Sequence, residues 1–392
     1  MRFVHRDGWR GSLIASCLGL LALELIVVSC AGPEAVDDGH ADGGDGATAS
    51  DPSAGDAGGF EDSGAETSTD AQEPACGDAE WCPVKTNQPS WLGLTSVWGS
   101  GPNDVWIAGA AGSVNHWDGT QWRSATAPTS QTLSVIWGTG PNDIWAVSTA
   151  DVVLHTTGFK DGEARWSLMT PIADLSVPTI GGFLRALWGT SPDDIWTAGD
   201  VWVMYRPTSF TPESGWRSLP ADGGVVWTPF SSFRNAQVRS IWGSGPDDVW
   251  FVGQRPFAAH TNGVKGPDGL PKWTEFDTQS LAPLSAVWGS GPGDVWAVGD
   301  YGTIRHFTAG ASRWAVVESP TMENLRGLWG AAANDIWAVG EHGTLLHYDG
   351  KSWRLSSGAF PPGKRPHLYS VWGSGPSDVW AVGGDTVLRL TR

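Results

Sequence analysis

Trp288-Gly-Ser-Gly-Pro-Gly-Asp-Val-Trp-Ala-Val-Gly299 is the stretch on which the rest of the chain is patterned. Further copies begin at Trp98, Trp137, Trp188, Trp242, Trp329 and Trp372, making seven in all. In each copy a second Trp lies eight residues after the first, and an Asp lies two residues before that second Trp. The leading Trp residues are 39, 51, 54, 46, 41 and 43 residues apart. Leu284-Ser-Ala-Val-Trp288 has the β-branched and aromatic content of a strand. Gly289–Asp294 reads as a turn, because Pro presets the backbone and Asp can bond nearby N–H groups. Val295–Gly299 is apolar at consecutive positions, the pattern of a strand buried on both faces. Thr303–Phe307 reads as a third strand, and a fourth carries Trp314.

Four short strands repeated every 40–50 residues describe propeller blades. The expected fold is therefore all-β: a seven-bladed β-propeller of four-stranded antiparallel blades over residues 76–392. The Trp residues supply a check. Seven begin copies, seven close the Asp-[Val/Ile]-Trp triplet, and Trp122, Trp166, Trp216, Trp273, Trp314 and Trp353 fall on fourth strands. The seventh copy ends before its fourth strand. Trp81 stands 17 residues before Trp98, close to the 15 from Trp122 to Trp137. The segment Trp81–Thr86 is thus expected to complete the last blade and close the ring, which removes exposed edges.

Ahead of this domain the composition changes twice. Arg2, Arg6 and Arg10 precede a mostly apolar run from Leu13 to Val28, interrupted by Glu24. The run ends Val27-Val-Ser-Cys30, which resembles the lipobox of bacterial lipoproteins. That resemblance implies a signal peptide over 1–29, cleavage before Cys30, a lipid on Cys30 and, with Ala31 following, outer-membrane sorting. Residues 30–75 hold twelve acidic residues and no Lys or Arg, among Gly, Ala and Ser. Such a segment buries too little apolar surface to fold and is expected to be a disordered linker. Cys76 and Cys82 bracket a tight loop before the closing strand. In an oxidising compartment they are expected to form a disulfide contributing about 2–2.5 kcal/mol by loop entropy.

The chain carries a net charge of −18, of which the propeller accounts for −7. A mildly acidic domain without a basic stripe makes a poor nucleic-acid binder. The periodic Asp residues (Asp104, Asp143, Asp194, Asp248, Asp294, Asp335, Asp378) recur in every copy, whereas catalysis needs a residue once, so they read as turn architecture. His116, His155, His260, His306 and His347 stand ten residues after the second Trp, with Arg206 there in copy three and Arg389 offered by copy seven. Blades hold these imidazoles too far apart to share a metal ion. A repeated strand-to-turn hydrogen bond is expected instead. The Asp-Gly-x-x-Trp segments at Asp118 and Asp349 resemble the Asp-box of sialidase-type propellers without its Ser. No isolated carboxylate pair, nucleophile elbow, P-loop or zincin motif accompanies them. No catalytic residue, metal ligand or cofactor is therefore assigned.

Residues 81–392 resemble the bacterial secreted or lipoprotein β-propellers built from tandem W-G-x4-D-[VI]-W-A-V-G repeats. The resemblance is specific for architecture and implies little about activity. The expected function is a monomeric, non-enzymatic, lipid-anchored binding module for a protein or glycan of the cell envelope or exterior, with no nucleic acid and no membrane contact beyond the anchor. A propeller-type glycoside hydrolase is the alternative. The inter-blade connections vary most in length, so the face that carries them is the expected docking surface, with the partner across blades two to four. Trp202, in a turn, and Trp227 and Trp91, in connections, are the expected partner-binding residues.

Overall fold

The computed structural model describes residues 76–90, 92–150, 152–169, 183–192, 194–199, 203–204, 228–229, 237–254, 257–267 and 271–391. These residues form β-strands joined by turns and three single-turn 3₁₀ segments. None of their helices is long and apolar enough to cross a membrane. Six antiparallel four-stranded sheets are present, each built from strands in simple succession except the last. Copy three is described as two two-stranded pieces, Leu184–Ser191 with Asp194–Gly199 and Val203–Met204 with Thr228–Pro229. Trp216, expected on the fourth strand of this copy, lies outside the described residues.

In the reference copy the strands are Leu284–Gly291, Asp294–Gly299, Ile304–Thr308 and Ala315–Val317. Val295 through Gly299 are all buried, so the continuous apolar run does mark a strand covered on both faces. The turn is tighter than expected. Trp288 and Gly289 belong to the first strand, opposite Trp296 and Val295, and only Pro292 and Gly293 remain to turn the chain.

Gly289 belongs in the strand because of a contact between copies. A Cβ on Gly289 would lie 2.6 Å from Cη2 of Trp242, the leading Trp of the preceding copy. The same encounter recurs for Gly138 with Trp98, Gly189 with Trp137, Gly243 with Trp188, Gly330 with Trp288 and Gly373 with Trp329, at 2.5–3.1 Å. Gly99 meets Trp372 in the same way, so the seventh copy packs on the first. Each leading indole occupies space that only a glycine leaves open. The first strands also adjoin one another in sequence order, that of copy seven adjoining that of copy one. Side-chain bonds tie them together: Ile136 N donates to Ser96 Oγ, Val287 N to Ser240 Oγ and Val97 N to Ser370 Oγ, at 3.1–3.2 Å.

The N-terminal strand behaves as the Trp spacing predicts. Trp81–Pro83 is the outer strand of the sheet completed by Thr386–Leu390, Asp378–Gly383 and Ser370–Gly375, with Trp81 opposite Leu390. Pro83 is tolerated there because an outer strand has one unpaired side. Trp81 is fully buried and meets Trp337 of copy six edge-on at 5.0 Å. Equivalent edge-on pairs join Trp106 to Trp166, Trp196 to Trp273, Trp250 to Trp314, Trp296 to Trp353 and Trp380 to Trp122. Trp81 therefore fills the place of a fourth-strand Trp. Trp117, which no repeat position explains, packs against Trp122 and Trp380. Cys76 and Cys82 are joined as a disulfide beside this strand, with Cα atoms 5.2 Å apart.

Candidate functional site

Each end of the blades has its own chemistry. At the first-to-second turns the periodic Asp collects hydrogen bonds. Asp294 accepts from Ser290 Oγ at 2.5 Å, Trp296 Nε1 at 3.2 Å and His306 Nε2 at 2.5 Å. His306 stands opposite Trp296 in the next strand and its ring stacks on the indole at 3.9 Å. His116, His155, His260 and His347 make the same bond to Asp104, Asp143, Asp248 and Asp335 at 2.6–2.8 Å. In copy seven Arg389 substitutes, donating from Nε to Asp378 at 2.9 Å and lying over Trp380. The expected strand-to-turn bond is thus present in six copies. Arg206 lies outside the described residues.

These bonds set the carboxyl electrostatics. Burial raises the Asp104 carboxyl, but hydrogen bonds from His116, Ser100 and Trp106 outweigh it and hold the group below the ordinary carboxylate range. For Asp143 and Asp248 the opposing terms are likewise burial, then His155 with Thr139 and His260 with Ser244, and the net shift is again downward. Asp118 and Asp349 are turn caps. Asp118 accepts from the Thr120 and Gln121 N–H groups and from Arg123; Asp349 accepts from the Lys351 and Ser352 N–H groups and pairs with Arg354. Their hydrogen bonds hold both carboxyls low. Ionised acceptors engaged in this way are poor proton donors, so these two carboxylates do not suit a general-acid role.

The opposite ends, where blades connect, are irregular. In copies one to six the ladder skips the second residue of the first strand, passing from Leu284 to Ala286 and equivalently elsewhere. A bulge leaves its extra residue unpaired and re-aims the side chain. The residues at these bulges are Thr95, Ser134, Arg185, Arg239, Ser285 and Arg326. Arg326 reaches two successive blade turns, pairing with Asp300 at 2.7 Å and with Glu341, while also donating to Ser285 Oγ. Arg239 donates to the same Ser285 Oγ and lies 3.8 Å from Asp300. Burial raises the Glu341 carboxyl, but Arg326 and Asn324 more than compensate and hold it low. The cluster is half-buried and spans copies four to six.

Large apolar side chains stand exposed around it. Leu281 and Met322 occupy equivalent positions in two connections and are 100 % and 77 % exposed; Tyr301, in the turn between them, is 69 % exposed. Tyr301 has φ +56°, a left-handed conformation unusual for an aromatic residue, and Gly302 follows at +65°. Two successive positive φ values close this tight second-to-third turn. In the sixth copy His342 takes the same position, with φ +53°.

Trp91, Trp202, Trp227 and Cys30 lie outside the described residues. The bulge arginines escape sequence reading because the ladder skip has no sequence mark. His342 and His367 were legible, being histidines that fall off the repeat position.

No protein-family model matches the chain, and no curated protein matches it. Solved structures do. YCF48 bound to a D1 peptide shares 18 % identity with TM-score 0.60, covering 81 % of this chain and 97 % of that one. A streptogramin B lyase shares 14 % identity with TM-score 0.63, covering 79 % and 97 %. A catalytically inactive virginiamycin B lyase from Staphylococcus aureus with quinupristin shares 14 % with TM-score 0.57, covering 80 % and 99 %. At these identities the likeness is one of fold: a protein seen with a peptide bound and a lyase share the architecture.

Proposed function

We propose that this chain is a non-enzymatic binding module, a seven-bladed propeller closed by its N-terminal strand and tethered to the outer membrane through a lipid on Cys30. The partner is a protein, and it docks on the blade-connection face across copies four to six. The observation that carries the reading is the contrast of that face with the rest of the repeat. Arg239, Arg326, Asp300 and Glu341 form a charged cluster across copies four to six, and Leu281, Tyr301 and Met322 stand exposed beside it. Exposed apolar residues beside charged groups are the composition of an interaction surface, and Tyr and Arg are enriched among residues that dominate binding. That YCF48 is seen with a D1 peptide supports a polypeptide ligand for this architecture. Ring closure is supported by the Trp372–Gly99 contact and the Trp81–Trp337 pair.

The test uses the full chain with Cys30→Ser as soluble bait, carrying a photo-crosslinker at Met322. Crosslinking to one envelope protein that is lost with Tyr301→Ala and Arg326→Ala is the expected result. A crosslinked partner indifferent to both substitutions argues for another face. Cys30→Ser is also expected to release the protein from membranes, and fatty-acid labelling that persists in this variant overturns the anchor.

A further inference from the structure

The described residues include seven of the nine histidines, His116, His155, His260, His306, His342, His347 and His367. Five are committed to the Asp–Trp arrangement at the first-to-second turns. The remaining two, His342 and His367, lie together at the opposite ends of the blades, between copies six and seven. With Glu341 they bring one ligand atom each to within 4.8 Å of the others.

The repeat does not demand these residues. Positions equivalent to His342 hold Ala111 and Tyr301 in turns of the same shape, and positions equivalent to His367 hold Gln237, Pro283 and Asn324. The fold nevertheless fixes their backbones against each other. Gly343 N donates to Pro366 O at 2.7 Å and Leu368 N to Gly340 O at 3.0 Å, so the two ligand-bearing segments are clamped on either side of the histidines. The imidazoles meet edge-on at 4.9 Å. His342 Nδ1 is 2.7 Å from Glu323, a carboxylate that does not belong to the trio. A metal-bound histidine characteristically gives its other ring N–H to such a carboxylate, which fixes tautomer and ring orientation. Glu341 is held by Arg326 and Asn324, yet a carboxylate offers about four lone-pair positions and these bonds leave room for a further interaction.

We propose that Glu341, His342 and His367 form a binding site for a divalent transition-metal ion, with Glu323 orienting His342. Two imidazoles and one carboxylate suit borderline ions, zinc foremost. Tetrahedral zinc with bonds of ~2.0 Å separates its ligand atoms by about 3.3 Å, so the trio must draw in slightly. Both histidines are exposed, and their Nδ1 atoms are engaged by Glu323 and by the His342 backbone N–H, which leaves each Nε2 to turn toward the anchored Glu341. Three protein ligands leave a fourth position open to water or to an outside group. The site stands independently of the partner reading, since it is defined by the chain's own side chains.

The experiment is isothermal titration of zinc into the full chain with Cys30→Ser, free of any histidine tag and stripped with a chelator. One equivalent is expected to bind. His342→Gln with His367→Gln should weaken that event at least tenfold while leaving the melting temperature of the metal-free protein unchanged, because both side chains are exposed. His40→Gln, in the linker, should leave it intact. X-ray absorption of the zinc-loaded protein should show two imidazoles in the coordination shell. Absence of zinc-dependent heat, equal affinity in the double variant, or a shell without two imidazoles would overturn the site.

Discussion

Asp294 and Arg326 occupy opposite ends of neighbouring blades, and each gathers several hydrogen bonds. Asp294 does so within its own copy, from Ser290, Trp296 and His306, and its counterparts repeat the arrangement around the chain. Arg326 does so between copies, from a bulge, to Asp300 and Glu341, while the other bulges hold Thr95, Ser134, Arg185, Arg239 and Ser285. One end is therefore constrained to be the same everywhere and the other is free to differ. In a repeat protein, residues that every copy shares serve the stacking of copies, while residues found once are available for recognition.

The comparison is sharpest where it predicts damage. Trp81 belongs to the shared set although it comes from the other end of the chain. Trp81→Ala empties a fully buried site against Trp337, and an expected loss of about 3–5 kcal/mol should appear as an earlier denaturant midpoint. A midpoint unchanged from the parent would remove Trp81 from the shared set. Two glycines of one strand give an internal contrast. Gly289→Val drives a side chain into the Trp242 indole and should cost about 1–3 kcal/mol, whereas Gly291 has open space around its missing Cβ, so Gly291→Ala should cost less than about 0.5 kcal/mol. Equal effects would mean that the copies do not pack through that contact.

A gentler probe is acid. The Asp104, Asp143 and Asp248 carboxyls titrate below their ordinary range when folded. Their stabilisation is fully present above the unfolded value of about 3.9 and is lost as pH falls through the lower folded values. The melting temperature should therefore be nearly level from about pH 6 to 5 and decline below about pH 4. A decline already complete at pH 5 would assign the sensitivity to other groups. The smallest effect belongs to the connection face. Arg326→Ala breaks half-exposed pairs and should change stability by less than about 1 kcal/mol while removing partner capture. A large loss of stability would move Arg326 into the structural set.

How much of this was legible in the sequence follows from the same division. The Trp counts led to Trp81, and the ten-residue offset of histidine from the second Trp led to the Asp–His bond, because both features lie at fixed spacing within a copy. The reason for Gly289 was hidden: its neighbour Trp242 is 47 residues away in a different copy, so the residue reads as part of a turn. The bulges at Arg239 and Arg326 left no spacing mark, since the ladder skips a residue without altering the distance from first to second Trp. His342 and His367 were visible as exceptions, but their proximity depends on the backbone bonds between turn and connection.

The pairing of Trp81 with Leu390 also fixes a timetable. At synthesis rates of roughly 5–20 residues per second, the first strand emerges on the order of 15–60 s before its partner exists. During that interval the earliest part of the domain has no place to dock. The mirror situation arises at the far end, where the slot beside Trp337 and Leu390 accepts any strand of matching sequence. At high concentration a neighbouring molecule's Trp81 segment meets that requirement as well as the chain's own. Assembly is then a race between a tethered strand and a diffusing one.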